Sequence, residues 1–339
     1  MLDNLKTNRP GSARTPKILV FSTGGTIAMR NEGCAGVRPM PNHEGLPITG
    51  FRPDAIQIEE IVFSNLPSPH MDLRLWLDLA SEIDTRSEDG NVLGAVVLHG
   101  TDLLPECALV LELCLKTRKP VVITGSMRAI GDEGYDGGRN LENAIRICME
   151  MPSESQVAVT MADEIYPARH ALKKNSVALA SMTAYSGLLG RVYSNEVVFF
   201  QPLPTASYSL VDPHALNKTS LPKTGLICAF PGQDGSIVDL LLKTGIQGLV
   251  VEAFGAGNLP AGLARGIKSA IEKGLPVLIT TRCFEGGVYP IYSYEGGAGE
   301  MQKNGALLCG NIPSGKALLI LQIALACKTS PEKILEFFK

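Results

Sequence analysis

No apolar run in this chain approaches the length of a membrane span. The longest, such as "GAVVLHG" and "KALLILQIALA", fall far short of the roughly 20 residues a membrane helix requires, so no membrane partner is expected. A surplus of one charge is missing too. The 34 acidic and 31 basic side chains leave a formal net charge of −3 with no long block of either sign, which gives no steering towards nucleic acid or an acidic surface. Eight cysteines are present (Cys34, Cys107, Cys114, Cys148, Cys228, Cys283, Cys309 and Cys327), but no CxxC spacing joins them. Several sit inside apolar runs, which reads as buried free thiols rather than disulfides or metal ligands. No repeat of fixed period and no low-complexity tract is found. The opening residues 1–16, "MLDNLKTNRPGSARTP", have no apolar signal-peptide core and read as a flexible arm, which points to a cytoplasmic protein.

What the chain does have is the composition of a globular enzyme. Its 339 residues are 45% hydrophobic and 19% charged, enough for two domains with sizeable cores. Short β-branched runs recur, each closed by Gly, Thr or Ser: "KILVFSTGG", "GAVVLHGTD", "PVVITGSMR", "QGLVVEAFGAGN" and "PVLITTRC". Helical patterns such as "PECALVLELCLKT" and "LARGIKSAIEKG" lie between several of them. Strand, polar turn and helix in alternation predict an α/β fold with parallel sheets covered on both faces. In such sheets ligands bind beyond the carboxyl ends of the strands, so the polar tips are expected to converge. A Pro, Ser and Thr-rich stretch, residues 203–223, reads as a linker. It separates a larger N-terminal parallel-sheet domain, 17–202, from a smaller C-terminal α/β domain, 224–339.

Each tip carries a structural reading beside a chemical one. "STGGTIA" has neither the GxGxxG nor the Lys-Ser/Thr pattern of a phosphate loop. Its glycines imply a tight turn, and Thr26 either caps that turn or presents its hydroxyl to a ligand. In "HGTD", residues 99–102, Thr101 or Asp102 fits a helix N-cap, while His99 inside the apolar run fits a buried, satisfied histidine. In "DEIYPARHALKK" the two adjacent lysines fit a solvated edge. A catalytic lysine there would require a neutral fraction supplied by burial or by a neighbouring charge such as Arg169.

Taken together and in order, "STGGTIA", "HGTD", "GSMR" followed by "DGGRNLENAI", "DEIYPARHALK" and "VVEAFGAGN" resemble the bacterial L-asparaginase/glutaminase family over nearly the whole chain. The resemblance implies a cytoplasmic-type L-asparaginase that converts L-asparagine to L-aspartate and ammonia without a cofactor or metal. It implies Thr26 as the acyl-accepting nucleophile and a Thr101, Lys173 and Asp102 triad, with Thr101 assisting or aligning water. It further implies that backbone amides near Gly25, Thr26 and Thr101 bind the oxyanion. Substrate contacts are implied for Gly25, Ser68, Pro69, Gly100, Thr101, Asp102, Ser126 and Met127. Asn258 and, by a looser match, Glu295 are implied to reach a neighbouring subunit's site, in a homodimer or homotetramer.

Some positions depart from the family's pattern. The loop "MRNEGCAGVRP" lacks a tyrosine, with Val37 near its place; Tyr135 precedes Asp136-Gly137-Gly138 where a small residue is usual; Pro69 and His70 replace polar residues. At Tyr135 a bulkier and more flexible loop is expected. The alternatives are hydrolysis of glutamine or D-asparagine, a non-catalytic amino-acid sensor, a nucleotide-binding α/β protein, and the glutamine-hydrolysing subunit of a tRNA amidotransferase. The last of these has relatives with an extra N-terminal domain.

Overall fold

The computed structural model describes residues 15–40, 56–154, 157–203, 211–216 and 219–338. All but the last two residues of the expected arm 1–16, and parts of the expected linker 203–223, lie outside the described residues. The larger domain contains strands β1 (Lys17–Ser22), β2 (Met29–Asn31), β3 (Val37–Pro39), β4 (Gln57–Val62), β5 (Val92–Leu98), β6 (Val121–Thr124), β7 (Ala158–Met161), β8 (Glu164–Pro167), β9 (Ala171–Lys173), β10 (Met182–Ala184), β11 (Gly190–Tyr193) and β12 (Glu196–Phe199). Its helices are α1 (Leu73–Ser87), α2 (Leu104–Cys114) and α3 (Gly137–Glu150). The short helix α4 (Pro213–Leu216) follows and packs on α1. The smaller domain contains β13 (Thr224–Cys228), α5 (Ser236–Lys243), β14 (Gly248–Ala253), α6 (Ala261–Glu272), β15 (Val277–Thr281), α7 (Ala298–Lys303), β16 (Leu307–Leu308) and α8 (Ser314–Ala326), with α9 (Pro331–Ile334) and a 3-10 turn closing the chain.

Every strand expected from an apolar run forms: "KILVFS" is β1, "VLGAVVL" is β5, "VVIT" is β6, "GLVVEA" is β14 and "VLITT" is β15. Two main sheets result, an eight-stranded one ordered β12-β11-β8-β7-β6-β5-β1-β4 and a four-stranded one ordered β13-β14-β15-β16, beside the two-stranded ribbons β9-β10 and β2-β3. The smaller sheet is parallel throughout. The larger sheet is mostly parallel, as expected, with an antiparallel extension at one side. β4, β1, β5, β6 and β7 run parallel, whereas β7 pairs antiparallel with β8, β8 with β11, and β11 with β12. The cause is a two-residue hairpin at Ala162 and Asp163, both left-handed at φ 50° and 66°, the pattern whose twist suits antiparallel strands. Asp163 is held there by Arg139 Nε at 3.0 Å and Asn143 Nδ2 at 2.6 Å.

Helix α1 starts where Asp72 accepts the Leu75 amide at 3.0 Å, a side-chain N-cap. Helix α2 is apolar nearly all round because it is covered on both sides, by the sheet and by α8. One core therefore runs from the large sheet through α1 and α2 to α8, Val250 and Leu278 of the smaller domain. Of the eight cysteines, Cys107, Cys114, Cys148 and Cys309 are buried as expected, while Cys34, Cys228, Cys283 and Cys327 are exposed, and all are free.

A buried ionic cluster pins the two domains together. Lys316 of α8 is fully buried and donates from Nζ to the carbonyls of Ala168 and Arg169 at 2.8 and 2.9 Å. Arg169 bonds Glu112 of α2 at 3.0 Å and the Phe337 carbonyl at 2.7 Å. Burial pulls the Lys316 amine down to about 7, opposed by the charges of Glu106 and Glu112. The carbonyls that Lys316 holds lie just ahead of β9, at Ala168 and Arg169, five and four residues before Lys173. Removing one member of a buried ion set strands the others, at a cost of about 3–5 kcal/mol. Lys316→Met is expected to lower the thermal midpoint by about 5 °C or more, while the exposed Lys174→Met leaves it unchanged; equal midpoints for the two variants would contradict the clamp.

Candidate active site

The strand order fixes where a ligand can sit. From β1 the chain crosses to β4 on one side, then returns past β1 to lay β5 on the other, and such a reversal opens a crevice at the strands' carboxyl ends. "TGGT" leaves β1 and "HGTD" leaves β5 at that point.

The two tips touch backbone to backbone. Gly24 and Gly25 adopt φ of 103° and 80°, in the left-handed region that favours glycine. A Cβ at Gly25 would lie 2.3 Å from Gly100 Cα, and one at Gly24 would lie 2.5 Å from the Leu66 amide nitrogen. Thr23 anchors the loop by donating both its amide and its hydroxyl to the Leu98 carbonyl, at 3.0 and 2.9 Å. Thr26 then opens a 3-10 turn, Thr26–Ala28. The residue capping that turn is Gly25, and no hydrogen bond of the Thr26 hydroxyl is found among the described residues. The Gly25 amide is taken by the Leu66 carbonyl at 3.1 Å. No acceptor is found among the described residues for the amides of Thr26 and Thr101.

"HGTD" is likewise not a helix cap. The residue capping α2 is Leu103, without a side-chain bond. Instead Lys173, from the end of β9, donates from Nζ to Thr101 Oγ1 at 2.8 Å and to Asp102 Oδ1 at 2.7 Å. Thr101 is buried, the Lys173 side chain is 16% exposed and that of Asp102 is 61% exposed. The two-lysine sequence is thus a solvated edge only at Lys174, which is exposed.

Ser68, buried in a 3-10 turn, joins the cluster: a Cβ at Gly100 would meet its Oγ at 2.7 Å. Pro69 and His70 of the same turn are exposed. Ser126 donates to the Arg128 carbonyl at 2.8 Å, and the Met127 amide donates to Asp136 at 3.1 Å. Asn258 and Glu295 are not brought to the threonines by any hydrogen bond. Both belong to the smaller domain, where Glu295 pairs with Arg265 at 2.9 Å and Asn258 donates its amide to the Phe254 carbonyl at 2.8 Å. Val37 lies exposed in β3. No group of three or more His, Cys, Asp and Glu suited to a metal occurs among the described residues.

Three supporting residues escaped the sequence reading. Gly125 lets the β6 tip close on its neighbour, since a Cβ there would lie 2.4 Å from the His99 carbonyl and 3.1 Å from Thr101 Cγ2. Asn140 of α3 staples two tips, donating to the Gly125 carbonyl at 3.0 Å and accepting the Ala162 amide at 3.2 Å. Trp76 of α1 donates from Nε1 to His99 Nε2 at 3.1 Å. An indole only donates, so His99 carries its proton on Nδ1 and gives it to the Gly100 carbonyl at 2.8 Å. His99 is therefore the buried, satisfied histidine expected, and it holds the peptide ahead of Thr101.

Comparison with known proteins places the chain in a family. Residues 17–205 match the family model "Asparaginase, N-terminal", and residues 223–338 match the "Glutaminase/Asparaginase C-terminal domain". The chain belongs to the asparaginase family. Within it, this asparaginase-family chain is 31% identical to an L-asparaginase of Bacillus licheniformis, over 91% of this chain and 95% of that one. It is 32% identical to a probable L-asparaginase of Deinococcus radiodurans, over 96% and 98%. The crystal structure of a probable cytoplasmic L-asparaginase from Campylobacter jejuni superposes with a TM-score of 0.82 at 28% identity, covering 95% of this chain and 99% of that one. The chain is an amidohydrolase of the L-asparaginase type.

Burial pulls the His99 imidazole down to about 4, opposed by its bond to the Gly100 carbonyl. An unfolded histidine takes its proton near 6.5. The unfolded chain therefore binds more protons as pH falls, so this contribution to stability is complete above about pH 6.5 and is lost as pH drops towards 4. Trp76 is the chain's one tryptophan, and its emission reports directly on its ring partner. The expected emission of the folded protein is flat from pH 8 to about 5; a quenching step centred near the free histidine value would contradict the assigned tautomer.

Proposed function

We propose that this amidohydrolase cleaves L-asparagine to L-aspartate and ammonia through Thr26. The observation that carries the reading is the Lys173 amine shared between Thr101 Oγ1 and Asp102 Oδ1, beside the loop that presents Thr26. An amide is a poor electrophile with a poor leaving group, so its hydrolysis draws on an activated hydroxyl, oxyanion donors and a proton for the departing amine. Thr26 Oγ bonds to the amide carbon, and its proton enters the Thr101, Lys173 and Asp102 relay. The C–N bond then breaks, and ammonia leaves with a proton from the relay. Water aligned by Thr101 cleaves the resulting ester, releasing the carboxylate and restoring Thr26. The amides of Thr26 and Thr101 suit the oxyanion, while that of Gly25 is already engaged by Leu66.

Ser68, buried beside Gly100, is placed to receive the substrate α-carboxylate, and the exposed carboxylate of Asp102 to meet its α-amino group. Preference for asparagine over glutamine rests on one methylene, worth about 1–3 kcal/mol in a pocket. Asn258 Oδ1 is buried without a partner among the described residues. That accords with a homo-oligomer in which Asn258 serves a neighbouring subunit's site, and Glu295 is assigned the same part.

The test is ammonia release from L-asparagine, L-glutamine and D-asparagine by the wild type, Thr26→Ala, Thr101→Val and Lys173→Met. The expected result is a preference for L-asparagine and a loss of at least about a hundredfold in each variant. Thr26→Ala with wild-type turnover, or a wild type that binds aspartate but releases no ammonia, would overturn the reading. For the shared site, refolded mixtures of Thr26→Ala and Asn258→Ala subunits are expected to regain activity that neither possesses alone. A strictly monomeric protein in light scattering would refute the assembly.

A further inference from the structure

The loop between β6 and α3 reaches the nucleophile turn by a route the proposed mechanism does not use. The Tyr135 hydroxyl donates to the Ile27 carbonyl at 2.8 Å across 108 residues of sequence. Ile27 is the middle residue of the turn that Thr26 opens, and its side chain is fully buried. The turn's other carbonyls have backbone donors: Thr26 accepts the Met29 amide, and Ala28 accepts the Met40 amide at 3.2 Å. Among the described residues Ile27 O has no backbone donor, so the phenol completes the turn.

Tyr135 is itself held on several sides. Its amide donates to the Asp132 carbonyl at 3.2 Å. The adjoining Asp136 carboxylate accepts the Met127 amide at 3.1 Å, the Arg128 amide at 3.0 Å and Asn140 Nδ2 at 2.9 Å. Burial, then the Asp136 charge, pushes the phenol well above its usual range, so it remains a donor at neutral pH. The ring occupies the space left by a missing side chain, because a Cβ at Gly137 would lie 2.1 Å from Tyr135 Oη and 2.3 Å from Cζ. The bulk expected at Tyr135 is present, and its hydroxyl bonds this loop to the Thr26 turn.

We propose that Tyr135, seated against Gly137, is a positioning residue that sets the Thr26 hydroxyl through the Ile27 carbonyl. This inference rests on Thr26 being the nucleophile. Tyr135→Phe keeps the ring and removes only the donor, stranding a buried carbonyl next to Thr26. Gly137→Ala keeps the hydroxyl but fills the ring's place. It sits at the first residue of α3, where alanine favours the helix.

The experiment measures kcat, KM and amide exchange in the peptide spanning residues 26–31. For Tyr135→Phe and for Gly137→Ala the expected kcat falls roughly five- to tenfold, the size of one net hydrogen bond, with KM within about twofold and exchange at 26–31 several-fold faster without substrate. Tyr135→Ala combined with Gly137→Ala is expected to be no worse than Tyr135→Ala alone, since the two changes act through one contact. Unchanged kcat and exchange in Tyr135→Phe, or losses that multiply in the combined variant, would overturn the inference. Thr26→Ala is assayed in parallel. If it keeps wild-type turnover, the nucleophile reading falls and this inference with it; if it is inactive while Tyr135→Phe turns over normally, only the inference falls.

Discussion

Everything at the candidate site depends on two backbones meeting where β1 and β5 end side by side. Gly25 and Gly100 approach so closely that a Cβ on Gly25 would sit 2.3 Å from the other's Cα. No side-chain-bearing residue fits there without prising the strands apart. That contact puts Thr26 and Thr101 on facing tips of one crevice. The remaining features, the Trp76–His99 hydrogen bond, the Asn140 staple and the Lys173 bridge, hold peptides and hydroxyls in the register the contact allows.

Polar order around this contact is graded by depth. The side chains of His99, Asn140 and Thr101 are buried and bonded to fixed partners, and paired side-chain networks of this kind rigidify a site. Asp102 and Pro69, by contrast, are exposed to solvent. Rigid donors below and open carboxylate above give a crevice with a fixed floor and an accessible rim, the division of labour a preorganised hydrolase needs.

Much of this was legible in the sequence, for identifiable reasons. Fully buried parallel strands read as continuous β-branched runs, so β1, β5, β6, β14 and β15 were plain. The motifs carrying Thr26, Thr101, Asp102 and Lys173 were visible because each closes or follows such a run. The antiparallel half of the large sheet was not legible, since its hairpin turns on Ala162 adopting a left-handed conformation that alanine does not advertise. The residues alone left Asp102 between a helix cap and another partner; the resemblance implied Lys173, and the fold delivers it from 71 residues away. The partner of Tyr135 was hidden for a related reason, since the Ile27 carbonyl that takes its hydroxyl lies 108 residues away.

The Lys316 clamp joins distant parts of the chain. The carbonyls of Ala168 and Arg169 stand five and four positions before Lys173, and the amine that secures them comes 148 and 147 residues later in the chain. A chain cut short before α8 would carry the TGGT, HGTD and Lys173 motifs yet leave the stretch that leads into Lys173 without its brace, so the end of the sequence secures a strand that its middle supplies.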